Sequence, residues 1–241
     1  MFFPQFIIDQ VKDCGFWSDR LIRSELISGV IVTENDYTSN FTAAFRREIN
    51  SRCIPGLRAH SQVLAPNVER QIGADGCIVL MNNRECKIGV FEAKWPRLSK
   101  KINSWDSLQK SSKVSHFDSQ IKRQSNYINQ YAIWEMFYLE EPFYSRLNEF
   151  PPFGSSCVWH DDAAQVSNSR SQTNIWTDSE LLHLLSSAKV KIEDVLQAIC
   201  ECSQGSAIPI QKLKGSIAEL GFPDEILIIE FDQEDAPQGD A

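Results

Sequence analysis

Residues 73–94 constrain this chain more than any other stretch. They read Gly-Ala-Asp-Gly-Cys-Ile-Val-Leu-Met-Asn-Asn-Arg-Glu-Cys-Lys-Ile-Gly-Val-Phe-Glu-Ala-Lys. Two apolar runs of strand length are separated by Asn82-Asn83, a turn signal, so the simplest pairing is an antiparallel hairpin. Strand residues i and i+2 share a face, so Glu92 and Lys94 project side by side while Ala93 turns inward. The hairpin brings Asp75, at the start of one strand, opposite Glu92 at the end of the other. Two carboxylates beside a lysine form a hard oxygen site of the kind Mg²⁺ occupies together with waters and phosphate oxygens. The lysine is placed to orient a hydroxide or to stabilise a pentacovalent phosphate. That is a donor set for metal-assisted hydrolysis of a phosphodiester. The three side chains are expected to stand at the strand ends, open to solvent. An ordinary surface Glu-Lys pair, the bland alternative, accounts poorly for charges that close the apolar run Ile88-Gly89-Val90-Phe91.

Helical patterns surround this hairpin. An amphipathic helix begins at residues 6–11, and Gly15 is expected to break it. Ser18 then caps a second segment carrying Leu21, Ile22, Leu26 and Ile27. Thr33 opens the next helix, with Asp36 three residues on. Phe41, Ala44, Phe45 and Ile49 follow at helical spacing, and Pro55-Gly56 stops them. Residues 58–64 read as a strand and 98–115 as a lysine-rich loop or weak helix. Residues 117–138 have helical periodicity, with an end able to turn into a strand. Cys157-Val158-Trp159 is a further strand. The Ser/Asn/Gln-rich residues 167–173 are the best linker candidate. Thr177 caps a helix with Glu180 at the capping-box position, and residues 192–202 form another. Residues 225–231 are short and strand-like, and 233–241 are expected to be disordered. The chain thus divides into a core over 1–166, a helical extension over 167–231 packed on it, and an acidic tail over 232–241. This is an α/β or α+β core with a helical C-terminal part.

Gly-Ala-Asp75, followed at a spacing of 17 by Phe-Glu92-Ala-Lys94, resembles the PD-(D/E)XK nuclease superfamily. That superfamily includes many type II restriction endonucleases, Holliday junction resolvases and phage exonucleases. Ala74 stands where its members have a proline. The resemblance covers roughly residues 34–165. It implies an α/β fold with a restriction-endonuclease-like αβββαβ core and a mixed central sheet. It also implies Asp75 and Glu92 as Mg²⁺ ligands, with Mn²⁺ able to substitute, and Lys94 as the catalytic lysine. Members often add an acid from the first helix and a glutamine from the helix after the E-x-K strand. Glu34 and Glu48 are the acidic candidates; Gln120 and Gln124 are the glutamines. Glu34 and Glu48 lie 14 residues apart on one predicted helix, about 21 Å, so only one reaches the strand ends. Glu48 has Arg52 at i+4 for an ion pair, which leaves Glu34 as the supporting carboxylate and metal ligand. Gln124 is assigned to orient substrate or water.

The implied activity is that of a cytoplasmic Mg²⁺-dependent endonuclease, on DNA ahead of RNA, as an effector of bacterial or phage defence. An ATPase, helicase or sensor protein is the implied partner, and cutting both strands of a duplex favours a homodimer. The competing class is a catalytically inactive adaptor of the same fold that binds nucleic acid or a protein.

Charge is compatible with a nucleic-acid partner despite a net −8 over 241 residues. Seven acids and no bases lie from Asp224 onward, so the rest of the chain is nearly neutral. Residues 97–123 carry seven bases against Asp106 and Asp118, and Arg46, Arg47, Arg52 and Arg58 form a second basic group. Trp95, Trp105, Phe117 and Tyr127 near the basic stretch are stacking candidates, although Phe117 and Tyr127 also fit the core period of their helix. The seven cysteines include no C-x-x-C pair, and His183 lies 17 residues from Cys200, so no zinc knuckle or disulfide framework is expected. His160-Asp161-Asp162 reads as a surface loop, and the other histidines are isolated. No P-loop occurs. The start Met-Phe-Phe-Pro lacks a basic n-region, and no apolar run approaches the ~20 residues of a membrane span.

Overall fold

The structure, a computed structural model, describes residues 1–63, 72–96, 103–138, 154–214 and 225–232. In chain order the elements are α1 (Gln5–Ile27), α2 (Glu34–Ser51), β1 (Leu57–Val63), β2 (Gly76–Met81) and β3 (Glu85–Lys94). Then come α3 (His116–Gln124), β4 (Ala132–Phe137), β5 (Ser156–Trp159), α4 (His160–Ser169) and α5 (Asp178–Ala188). The last are α6 (Ile192–Cys200), β6 (Ile208–Pro209), α7 (Ile210–Lys214) and β7 (Glu225–Phe231). The strands form one mixed open sheet in the order β1-β7-β2-β3-β4-β5, with β6 pairing the start of β3. β2 and β3 are the antiparallel hairpin; β3–β4 and β2–β7 are parallel. The fold is mixed α/β.

Alternation along the strands sends apolar side chains to both faces. Ile78, Leu80, Phe91, Ala93, Trp134 and Met136 join α1, α2 and α6 in one core. Cys77, Val79, Ile88, Val90 and Ile133 line the opposite face, where Phe137 and Val158 pack against α3, α4 and α5. Burying both faces of the central strands supplies the main stabilisation, ~25 cal/mol per Å² of apolar surface. Thr33 caps α2 through Asp36 N, and Thr177 with Glu180 forms the expected capping box on α5.

Several expectations are corrected. α1 runs unbroken through Gly15, and Ser18 lies inside it, donating to Cys14 O at 2.6 Å. A Cβ at Gly15 would stand 2.3 Å from Leu196 Cδ1 of α6. The glycine therefore lets two helices approach closely, and that packing outweighs its helix penalty of about 1 kcal/mol. α3 ends at Gln124, and the helix-like spacing beyond it belongs to a turn and to β4. Every β4 residue is buried, so apolar spacing there carries no periodic information. Residues 103–115 contain no helix: Leu108 bridges Ser115, and Trp105 packs with Phe117, Phe137 and Trp176. Trp105 and Phe117 are thus core residues, unavailable for stacking on bases.

Residues 167–173 are no linker. Ser167 Oγ donates to Asp118 Oδ1 at 2.7 Å, and Arg170 binds Asp118 and Glu180 and the carbonyls of Asn174 and Ile175. Nor are residues 167–231 a helical extension laid on a finished core. β7 lies inside the sheet, between β1 and β2. Ile226-Leu227-Ile228-Ile229 suits a strand covered on both faces. Arg97, Lys100 and Lys101 of the basic stretch and the tail 233–241 lie outside the described residues. Among the described residues, no helix is long and apolar enough to cross a membrane. All seven cysteines are free thiols.

Candidate active site

Gly76 pairs with Phe91 in the hairpin, which carries Asp75 alongside Glu92. Asp75 N donates to Phe91 O at 2.8 Å, and Asp75 Oδ2 accepts from Ala93 N at 3.0 Å. These bonds fix the carboxylate between Glu92 and Lys94 along the neighbouring strand. Lys94 Nζ donates to Glu92 Oε1 at 2.5 Å. From α2, Glu34 Oε1 accepts from Trp95 N at 2.8 Å, one residue beyond Lys94. The structure thus brings Asp75, Glu92, Lys94 and Glu34 to one end of the hairpin. Glu48 is elsewhere, paired with Arg52 at 3.1 Å.

The site is not open to solvent as expected. Glu92 is 1% exposed and Lys94 8%, while Asp75 and Glu34 are half-buried. α3 and α4 pack on this face of the sheet. Burial therefore dominates the electrostatics. It drives the Glu92 carboxyl well above the ordinary carboxylate range; Asp75 and Glu135 push the same way, against Lys94. For Lys94, burial alone would lower the ammonium pKa, but Glu92, Glu34 and Asp75 outweigh it and hold the group above its usual value.

The glutamine that reaches the carboxylates is Gln120, whose Nε2 donates to Glu92 Oε1. Gln124, one turn later, points elsewhere. Its Nε2 donates to Gly73 O at 2.9 Å, and its Oε1 lies 3.0 Å from His160 Nδ1. Both glutamines share a face of α3, and sequence spacing alone does not say which turn of the helix meets the strand end. Gly73 has φ +76°, and a Cβ there would meet the Arg123 guanidinium at 2.9 Å, so the turn leading into Asp75 requires glycine.

Two further residues belong to this region: Glu135, which sequence reasoning missed, and His160, which it places in a surface loop. Glu135 pairs with Glu92 in the β3–β4 register, on the same face. It is 0% exposed, and neither of its oxygens has a hydrogen-bond partner. The signal for it was available: one carboxylate inside the apolar run Ala-Ile-Trp-Glu-Met-Phe. His160, expected in a surface loop, is the buried first residue of α4, with Nδ1 3.6 Å from Glu135 Oε1 and Nε2 3.0 Å from Ser125 Oγ. Nothing local in His-Asp-Asp announces this placement; it follows from β5 delivering the chain directly into the covered face.

Among the described residues, no three His, Cys, Asp or Glu side chains are arranged to hold a metal ion by themselves. Asp75 and Glu92 are nonetheless an adequate donor set for Mg²⁺, which binds through one or two carboxylates and fills its shell with water and phosphate oxygens. Glu34, Asp75 and Glu92 converge around Lys94, with Glu135 beside Glu92, a surplus of acidic groups over bases that favours a cation. No family model, no curated protein and no solved structure matches this chain.

Proposed function

We propose that this chain is a divalent-metal-dependent phosphodiesterase acting on nucleic acid, with DNA the favoured substrate, built on a restriction-endonuclease-like core. The observation that carries the reading is the hairpin register, which sets Asp75 beside Glu92 and Lys94 while Glu34 reaches the same strand end from α2. The order α2-β1-β2-β3-α3-β4 is the αβββαβ order that the resemblance implies, with β7 added between β1 and β2.

In this reading Asp75 and Glu92 hold Mg²⁺ or Mn²⁺. When bound, the cation supplies charge stabilisation on the scissile phosphate and a hydroxide nucleophile near neutral pH. Lys94 donates to a non-bridging phosphate oxygen and stays cationic because three carboxylates surround it. Glu34 anchors the chain just past Lys94 and supplies part of that field. Gln120 holds Glu92 in its rotamer. Lys110, Lys113 and Lys122 are exposed and offer phosphate contacts.

The second reading is an inactive adaptor of the same fold. It is favoured by the closed state of Glu92, whose Oε1 receives both Lys94 and Gln120. Incubating the chain with plasmid, linear duplex, single-stranded DNA and RNA, in Mg²⁺ or EDTA, tests the proposal. EDTA-sensitive cleavage that Lys94→Ala abolishes supports the nuclease. Undiminished cleavage by Lys94→Ala removes it, and Mn²⁺ binding without any cleavage supports the adaptor.

A further inference from the structure

Glu135 and His160 present a chemical question that the nuclease reading leaves unanswered. A buried carboxylate without a hydrogen bond is costly, and such a group calls for an explanation in function or charge pairing. The hydrogen bonds around it have a forced direction. Gly73 O only accepts, so the Gln124 atom facing it is the amide nitrogen, and Oε1 is turned to His160. Oε1 also only accepts, so His160 Nδ1 carries a proton. The same Nδ1 also lies 3.6 Å from Glu135 Oε1. The chain of contacts runs Glu135, His160, Gln124, Gly73 O, and ends two residues before Asp75. The turn it grips has the positive φ of Gly73 and leads directly into Asp75.

We propose that Glu135, His160 and Gln124 are positioning residues that hold Asp75 in its place beside Glu92. The proposal rests on the reading of Asp75 and Glu92 as the metal-binding pair. Glu135 aligns the imidazole, the imidazole fixes the amide, and the amide fixes the carbonyl at the root of the Asp75 turn. Gln124 thus serves the site from behind, without touching substrate or water. The same logic governs metal sites, where residues behind the ligands commonly change affinity by about 10- to 100-fold.

The test uses the full chain and Mn²⁺ as probe. Mn²⁺ affinity is measured by calorimetry, with kcat, KM and melting temperature recorded for His160→Leu, His160→Asn and Asp75→Asn. Asparagine places an amide N–H near the position of Nδ1, whereas leucine offers none. The expected result is Mn²⁺ binding weakened at least about tenfold by His160→Leu. Its kcat should fall with KM unchanged, and His160→Asn should recover most of the loss. Wild-type affinity in a folded His160→Leu variant overturns the proposal, as does a His160→Asn variant as weak as His160→Leu. If His160→Leu does not fold, Gln124→Met carries the same expectation and the same refutation. Asp75→Asn separates the two levels. Unchanged Mn²⁺ binding in that variant sinks the assignment of the metal pair, whereas loss there with none in His160→Leu sinks only the positioning role.

Discussion

Two clusters of buried charge lie on the same face of the sheet, and they are built in opposite ways. Around Asp118, both carboxylate oxygens are used. Ser167 Oγ and Trp176 Nε1 donate to Oδ1 at 2.7 and 2.8 Å, and Arg170 Nη1 donates to Oδ2. Arg170 spends its remaining donors on Glu180 and two backbone carbonyls and lies 4.7 Å over the Trp176 ring. At the hairpin end, by contrast, three acidic groups share one lysine, and Glu135, beside Glu92, has no hydrogen bond at all. A fully satisfied network fastens elements together; a network with uncompensated charge is kept for something that binds. The first cluster ties α3, α4 and the start of α5. The second stores a field.

The comparison breaks most clearly if the two clusters are exchanged in their effects. Asp75→Ala, Glu92→Ala and Lys94→Ala should each lower cleavage by at least about 10²-fold. Asp75→Ala and Glu92→Ala relieve crowded acidic groups and should keep melting temperatures near wild type, whereas Lys94→Ala leaves buried Glu92 without its cation and should lower it. The two carboxylate changes should also weaken Mn²⁺ binding, and Lys94→Ala should not. Large unfolding in all three with normal specific activity in the folded fraction would make the hairpin end a structural cluster after all. Asp118→Ala should do the reverse. It takes from Arg170, Ser167 and Trp176 the acceptor they share and leaves Arg170 only Glu180 as ion-pair partner, at a cost of roughly 3–5 kcal/mol of stability by chemical denaturation, and should leave the Mn²⁺ affinity of the folded protein intact.

A smaller effect sharpens the boundary of the second cluster. Glu34→Gln should reduce cleavage about tenfold, roughly 1.4 kcal/mol of barrier. Glu48→Gln should change little, because its partner is a half-exposed Arg52 at the far end of α2. Reversed results from steady-state rates would move the helix acid to the other end.

The gentlest probe is pH. Burial first, then Asp75 and Glu135, keep Glu92 protonated well above its ordinary 4.5. Protonation therefore favours the folded state: this contribution is present below about 4.5 and is lost as pH rises through the folded value. A cation at Glu92 must displace that proton, so Mn²⁺ binding should tighten with rising pH and release protons. Calorimetry in two buffers of different ionisation heat reads the release directly; no release at any pH above 4.5 at which Mn²⁺ binds would count against burial control of Glu92.

Much of this arrangement was legible in the residues themselves. Asn82-Asn83 between two apolar runs specifies a hairpin, and the spacing of 17 between Asp75 and Glu92 specifies that the two carboxylates meet across it. Thr33 and the length of α2 specify that Glu34 and Glu48 lie at opposite ends. These are short-range facts, governed by strand alternation, turn chemistry and helix rise. Only the tertiary structure decided which glutamine of α3 reaches Glu92, that β7 slots between β1 and β2, that Gly15 marks a close helix crossing and no break, and that His160 and Glu135 join the site. Each of these depends on how distant segments pack. The physical reason is that local periodicity reports which side chains point inward, whereas the partner each one finds there is set by the non-local closure of the sheet and its two helical layers.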